Sequence, residues 1–151
     1  MNESMVGSHT GVNLLNLSWL PEPEFVSEGT MRVENVAGGN FWQLSYTWSH
    51  EGTAHSGVML LGISPESGEA SAAWGDSWHQ NGSLLILRGA KDTDTGGVSV
   101  QGSYPAESGP DWGWRIAITQ PAPDTIEMVM TNIMPDGPEE WAVRATYQRT
   151  A

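Results

Sequence analysis

Turn-forming clusters recur along this chain at nearly constant intervals, and they limit the segments between them to short elements. Each cluster is rich in Gly, Pro, Asn, Asp or Ser residues, which accept a positive φ or preset a turn. The clusters lie at positions 38–40, 50–52, 65–68, 80–82, 92–97, 107–110, 121–124 and 135–138. Their centres are roughly 13 to 15 residues apart, which is about one strand plus a tight loop.

Between the clusters, apolar and polar residues alternate as they do in half-buried β-strands. In residues 41–49, four apolar side chains fall on one face: Trp42, Leu44, Tyr46 and Trp48. The same alternation occurs in three later segments, at 111–120, 125–133 and 140–149. Two segments are apolar on both faces near their centres, at 53–63 and 83–88. Residues 12–20 are the one segment that we expect to form a short helix, which would cover one end of the fold.

Short, regular connections favour one all-β architecture over the others. A Greek-key sandwich needs at least one long crossing connection, and none is apparent. An open sheet of this size would expose two edges, which closure removes. We therefore predict a single closed antiparallel up-and-down barrel of about nine to ten strands over residues 21–151. Residues 1–20 are predicted to form an N-terminal tail or a short helix.

Composition and charge exclude several classes of function. The 18 acidic and 6 basic residues give a net charge of -12. So few cations cannot form a basic patch, so we expect no nucleic-acid partner and no binding to anionic membranes. The eight tryptophans argue against disorder. The absence of cysteine excludes disulfides, thiolate metal sites and cysteine nucleophiles.

No targeting segment is visible in the sequence. The first twenty residues lack a basic region followed by an apolar core, and no stretch reaches the ~20 apolar residues of a spanning helix. We therefore expect a cytoplasmic protein.

The segment Trp74-Gly75-Asp76-Ser77-Trp78-His79 combines indole rings with an acid and a histidine. Alternation places Trp74, Asp76 and Trp78 on one strand face and His79 on the other. A buried carboxylate needs a partner, and Arg115 is the natural cation for Asp76. Arg115 lies on the strand face opposite Trp112 and Trp114. If the tryptophan face is interior, Arg115 is exposed to solvent. If the opposite face is interior, Arg115 projects into a cavity.

The remaining titratable residues give weaker signals. His50, His55 and His79 show no compact metal-ligand spacing, so we predict no metal site. We also predict no cofactor, with haem ligation by His55 or His79 as an alternative that rests on analogy between barrels. Alternation separates Asp76 from Ser77 and His79, which excludes a Ser-His-Asp relay without a bulge.

Several short elements between residues 57 and 149 resemble the bacterial domain-of-unknown-function family 1579. These elements are Trp74-x-Asp76-Ser77-Trp78, Gly82, the apolar segment 84–87 ending near Gly89, Trp112-Gly113-Trp114-Arg115, Asp136-Gly137 and Tyr147-Gln148-Arg149. The resemblance implies a calycin-like (lipocalin-related) barrel and implies little about activity. It does not extend to the N-terminal part, where members often begin with Gly-x-Trp and this chain has Ser18-Trp19-Leu20.

Three hypotheses for function follow. The first is a binding module that holds a small hydrophobic or carboxylate-bearing molecule inside the barrel. Its predicted site residues are Trp74, Asp76, Trp78, Arg115, Tyr46 and Trp48. The second is a small-molecule enzyme that uses Asp76 or His79 in acid–base chemistry. The third is a structural or self-associating protein with a filled barrel, and a homodimer is left open.

Overall fold

The computed structural model describes residues 1–80 and 82–151, and these residues form ten β-strands and two 3-10 turns. The strands are β1 (Gly7–Asn16), β2 (Glu24–Val36), β3 (Phe41–His50), β4 (Thr53–Ile63), β5 (Glu69–Asp76), β6 (Leu85–Lys91), β7 (Val98–Tyr104), β8 (Trp112–Ala122), β9 (Thr125–Ile133) and β10 (Glu139–Arg149). The 3-10 turns are Glu3–Met5 and Ala37–Gly39. Residue 81, in the predicted turn at 80–82, lies outside the described residues.

Every strand pairs antiparallel with its neighbours in the sequence, and β10 pairs with β1 to close the sheet. The result is a ten-stranded up-and-down barrel, so the predicted fold is confirmed. Closure gives each of the described strands two hydrogen-bonded neighbours, so none of them is an edge strand. The described part of the chain contains no helix long and apolar enough to cross a membrane.

On β3 and β8, the tryptophan-bearing face is the interior face. On β3, Leu44, Tyr46 and Trp48 are buried, while the intervening residues are more exposed. On β8, the buried residues are Trp114, Ile116 and Ile118. Removing these large apolar surfaces from water stabilises the barrel, at roughly 1.5–3 kcal/mol for each fully buried large side chain.

The predicted helix at residues 12–20 is wrong, because Gly7–Asn16 forms β1 and hydrogen-bonds to both β2 and β10. Much of the segment 1–20 is therefore barrel wall rather than a tail. The interior face of β1 carries His9, Asn13 and Leu15, which are all buried. Two of these three residues are polar, so the alternation of apolar and polar residues that marks a strand is not visible in this part of the sequence.

The two ends of the barrel differ. At the end where β1 begins, the 3-10 turn Glu3–Met5 packs across the interior, and Met5 is only 2% exposed. The N-terminal ammonium group donates a hydrogen bond to the carbonyl of Gly96 (2.8 Å) and so holds this segment in place. The opposite end, where β5 terminates at Asp76, is open to solvent and contains the features described next.

Candidate functional site

Asp76 ends β5 with its carboxylate buried inside the barrel, and only 5% of the residue is exposed. Its Oδ2 accepts hydrogen bonds from the Tyr46 hydroxyl (2.8 Å) and the Trp48 indole N–H (3.1 Å). Its Oδ1 accepts from the backbone N–H groups of Trp78 (2.9 Å) and His79 (3.2 Å). Four donors thus stabilise the charge, and no described Lys or Arg forms an ion pair with it.

The register of three neighbouring strands brings Tyr46 to Asp76. Tyr46 lies opposite Gly57 on β4, and Gly57 lies opposite Asp76 on β5. A Cβ atom at position 57 would come within 2.2 Å of the Tyr46 phenol, so glycine leaves the space that this ring crosses. The Trp74 indole N–H donates to the Tyr46 hydroxyl oxygen (2.8 Å) and extends the network by one step.

Burial keeps the phenols of this interior protonated. It raises the pKa of Tyr46 well above its ordinary value, and the negative charge of Asp76 adds to the increase. Burial and the same charge also raise the pKa of Tyr147, a second core tyrosine. Tyr46 therefore serves Asp76 as a hydrogen-bond donor at neutral pH.

The strand ends at Asp76, and the next residues form a turn that the Asp76 carboxylate organises. The Asp76 carboxylate accepts from the backbone N–H groups of Trp78 and His79 in this turn. The backbone N–H of Asp76 itself donates to the Gln80 side-chain oxygen (2.7 Å). The prediction that His79 lies on the face opposite Asp76 is wrong, because alternation stops where the turn begins. The turn directs His79 back toward Trp74, with ring centroids 5.6 Å apart.

A cavity of about 990 Å³ occupies the open end of the barrel, a volume typical of small-molecule sites. Most of its aromatic wall comes from six residues, Trp19, Trp74, Trp78, Tyr104, Trp112 and Trp114. Trp74 and Trp114 stack on each other at a centroid distance of 5.4 Å and an interplanar angle of 12°. Trp19 lies at the mouth and is 71% exposed.

His79 is the one histidine among the described residues that line this cavity. Its ring lies 4.9 Å from that of Trp78 and 5.1 Å from that of Trp114. Burial among these indoles lowers the pKa of His79 to about 4, although the nearby Asp76 charge opposes this shift. The imidazole is therefore neutral at pH 7 and can both donate and accept a hydrogen bond.

Arg115 lies on the outer surface of β8, where its guanidinium forms an ion pair with both oxygens of the Glu139 carboxylate. The predicted pairing of Arg115 with Asp76 is wrong, because the tryptophan face of β8 points inward and Arg115 alternates with it. The buried network of Asp76 uses neutral donors where the sequence suggested a cation.

The six predicted site residues thus fall into three groups. Tyr46, Trp48 and Asp76 form the buried network below the cavity and do not line it, whereas Trp74 and Trp78 belong to its wall. Arg115 belongs to neither group.

Four aromatic cavity residues were not predicted as site residues: Trp19, Tyr104, Trp112 and Trp114. The paired indoles of Trp112 and Trp114 were a usable signal, because strand alternation places both rings on the interior face of β8. Trp19 lay in the supposed tail. Tyr104 was also detectable, because alternation over residues 98–104 places it on the same strand face as Val98 and Val100.

The histidines at this end surround Trp78, yet they do not form a metal centre. His50 and His55 lie 6.0 and 6.5 Å from the Trp78 ring. Among the described residues there is no group of three His, Cys, Asp or Glu side chains that could hold a metal ion.

The haem alternative named His55 or His79 as the iron ligand. Of these two, His55 does not line the cavity, and no described lining residue is a cation that could pair with haem propionates. That alternative stays a prediction.

Comparison with solved structures supports the fold. The chain is similar to the crystal structure of Rv2717c from M. tuberculosis, with a TM-score of 0.68 and 13% sequence identity. The match covers 99% of this chain and 94% of that chain. At this identity, the similarity concerns the fold alone. Comparison with curated proteins gives no match.

Comparison with family models identifies the family. The model of DUF1579, described as a protein of unknown function, matches residues 5–149. The match includes β1 and β2, which the resemblance seen in the sequence did not reach. The ten-stranded barrel is consistent with the calycin-like fold that the resemblance implied. The chain therefore belongs to the DUF1579 family of proteins of unknown function.

Proposed function

We propose that this protein binds a small, neutral, planar apolar molecule in the cavity at the open end of the barrel. One observation carries the proposal, the concentration of five of the eight tryptophans around a single cavity of about 990 Å³. Indole rings bury a large apolar surface and stack on flat ligands, so such a wall favours aromatic molecules. The ligand would lie at the mouth, above a core filled by Tyr46, Trp48 and their neighbours.

The charges around the cavity favour a neutral ligand over a carboxylate-bearing one. Glu107 is the single Asp, Glu, Lys or Arg among the described lining residues. Arg115, the cation expected to bind a ligand carboxylate, is paired with Glu139 on the outer wall. An anionic ligand would therefore lose its hydration without gaining a cation, and the net charge of -12 would repel it.

Isothermal titration calorimetry at pH 7 with 2-methylnaphthalene and 2-naphthoate tests the proposal, because the probes differ mainly in charge. We expect the neutral probe to bind at least tenfold more tightly. Trp112→Ala removes one wall of the cavity and should weaken that binding severalfold. Trp141→Ala is the matched control, because Trp141 is a partly buried tryptophan outside the cavity lining.

Two results would contradict the proposal. One is the absence of measurable binding of both 2-methylnaphthalene and its hydroxyl analogue 2-naphthol to the unmodified protein. The other is equal weakening in the Trp112 and Trp141 variants, which would place the binding elsewhere.

The network around Asp76 gives less support to the acid–base alternative. Both oxygens of Asp76 already accept hydrogen bonds, and this residue does not line the cavity. His79 does line it, but its lowered pKa leaves it a weak base at neutral pH. These features favour a binding role for the cavity.

A further inference from the structure

His79 stands out among the polar groups of the cavity because aromatic rings hold it in place. Its ring centroid lies within 6.0 Å of the rings of four tryptophans: Trp48, Trp74, Trp78 and Trp114. Its backbone N–H is bound to the Asp76 carboxylate, which fixes the turn that carries it. The imidazole is thus oriented before any ligand arrives, so little conformational entropy is lost on binding.

The ring nitrogens of His79 are open to a ligand as far as the described residues are concerned. Neither accepts or donates a hydrogen bond within the described part of the chain, and neither is sealed from solvent. Two other polar groups of the cavity differ in this respect. The Trp114 indole N–H is sealed from solvent, and the Tyr104 hydroxyl already donates to Asn132 (2.7 Å).

We infer that His79 is the hydrogen-bonding anchor of this cavity and that it selects neutral aromatic ligands carrying a hydroxyl group. The inference rests on the proposed function and specifies its ligand class. A neutral imidazole presents one N–H donor and one nitrogen acceptor. A hydroxyl group can donate or accept, so it suits either tautomer of His79, whereas a carbonyl suits only the tautomer with N–H toward the ligand.

The selectivity has a physical cause in desolvation. A wholly apolar ligand that covers His79 displaces water from a ring nitrogen and leaves that nitrogen without a partner. A hydroxyl-bearing ligand replaces the lost water, so it avoids this penalty. A net hydrogen bond of about 1 kcal/mol corresponds to roughly a fivefold preference in affinity.

Calorimetric titration with 2-naphthol and 2-methylnaphthalene at pH 7 measures this preference, because the two probes exchange a hydroxyl for a methyl group of similar size. The quantity of interest is the ratio of their dissociation constants. We expect His79→Phe to shift that ratio roughly fivefold against 2-naphthol. His79→Gln keeps a donor and an acceptor, so it should retain part of the preference and serves if the phenylalanine variant does not fold.

His55→Phe is the matched control, since it removes an imidazole at the same end of the barrel that does not line the cavity. It should leave the ratio unchanged. An unchanged ratio in both His79 variants would overturn the inference while the proposed function stands. Failure of both probes to bind the unmodified protein would overturn the proposed function, and the inference with it.

Discussion

The buried carboxylate of Asp76 allows the sharpest prediction about stability. Asp76→Ala removes the acceptor of four hydrogen bonds in one substitution. Two of the donors, the Tyr46 hydroxyl and the Trp48 indole N–H, belong to residues that are each only 4% exposed. The other two are the backbone N–H groups of Trp78 and His79, which lie closer to the open end.

The expected loss of stability depends on whether water can replace the carboxylate as a hydrogen-bond acceptor at each of the four donors. A buried donor left without a partner costs about 1–3 kcal/mol, so the Tyr46 and Trp48 donors together account for roughly 2–6 kcal/mol. The two backbone groups add less, because water can reach the turn from the cavity. We therefore predict that Asp76→Ala lowers the free energy of unfolding by roughly 3–6 kcal/mol, a large part of the stability of a domain this size.

Equilibrium unfolding in urea, followed by circular dichroism at 25 °C, gives the required free energies. Asp92→Ala is the matched control, because the Asp92 carboxylate also accepts backbone N–H groups in a turn, those of Asp94 and Thr95. Asp92 is exposed, so water replaces its oxygens and the loss should be much smaller. Similar losses in the two variants would refute the argument that burial of the Asp76 network is what matters.

Two further predictions concern the same end of the barrel. Gly57→Ala should destabilise the fold by about 1–3 kcal/mol in the urea assay, because the added Cβ would meet the Tyr46 ring. Gly75→Ala is the matched control and should cost less, because its Cβ would meet only one flexible side chain. Equal losses in these two variants would contradict this. Burial lowers the pKa of His79 from 6.5 to about 4. Between these two pH values, His79 is protonated in the unfolded chain but neutral in the folded protein, so the free energy of unfolding falls as the pH is lowered from 6.5 to about 4. His79→Phe should reduce this pH dependence in urea titrations at pH 7 and pH 4.5, and an unchanged dependence would contradict the assignment.

The barrel could be predicted from the sequence because its turns and its alternation are regular. Residues 41–49 and 111–120 carry large apolar side chains at every second position, and closure follows from the cost of exposed edges. β1 could not be predicted in the same way. Its interior positions hold the polar residues His9 and Asn13, and β1 is held in the wall by pairing with β10, which lies at the other end of the chain.

The candidate site could be predicted only in part, because its key contacts are non-local. Alternation correctly groups Tyr46 with Trp48 and Trp74 with Asp76 on interior faces. It cannot show that β5 ends at Asp76, since the turn depends on hydrogen bonds formed by the Asp76 side chain itself. The partner of Arg115 is Glu139 on another strand, and strand register alone brings these two residues together.

The most direct test of the central claim is a proton–nitrogen NMR titration of the eight indole N–H groups with 2-naphthol. Single Trp→Phe variants would assign the signals. Binding in the cavity should shift the signals of its five lining tryptophans, Trp19, Trp74, Trp78, Trp112 and Trp114, and leave Trp42 and Trp141 unchanged. Shifts confined to Trp42 or Trp141, or no shift in any signal at saturating probe, would contradict a ligand site at the open end of the barrel.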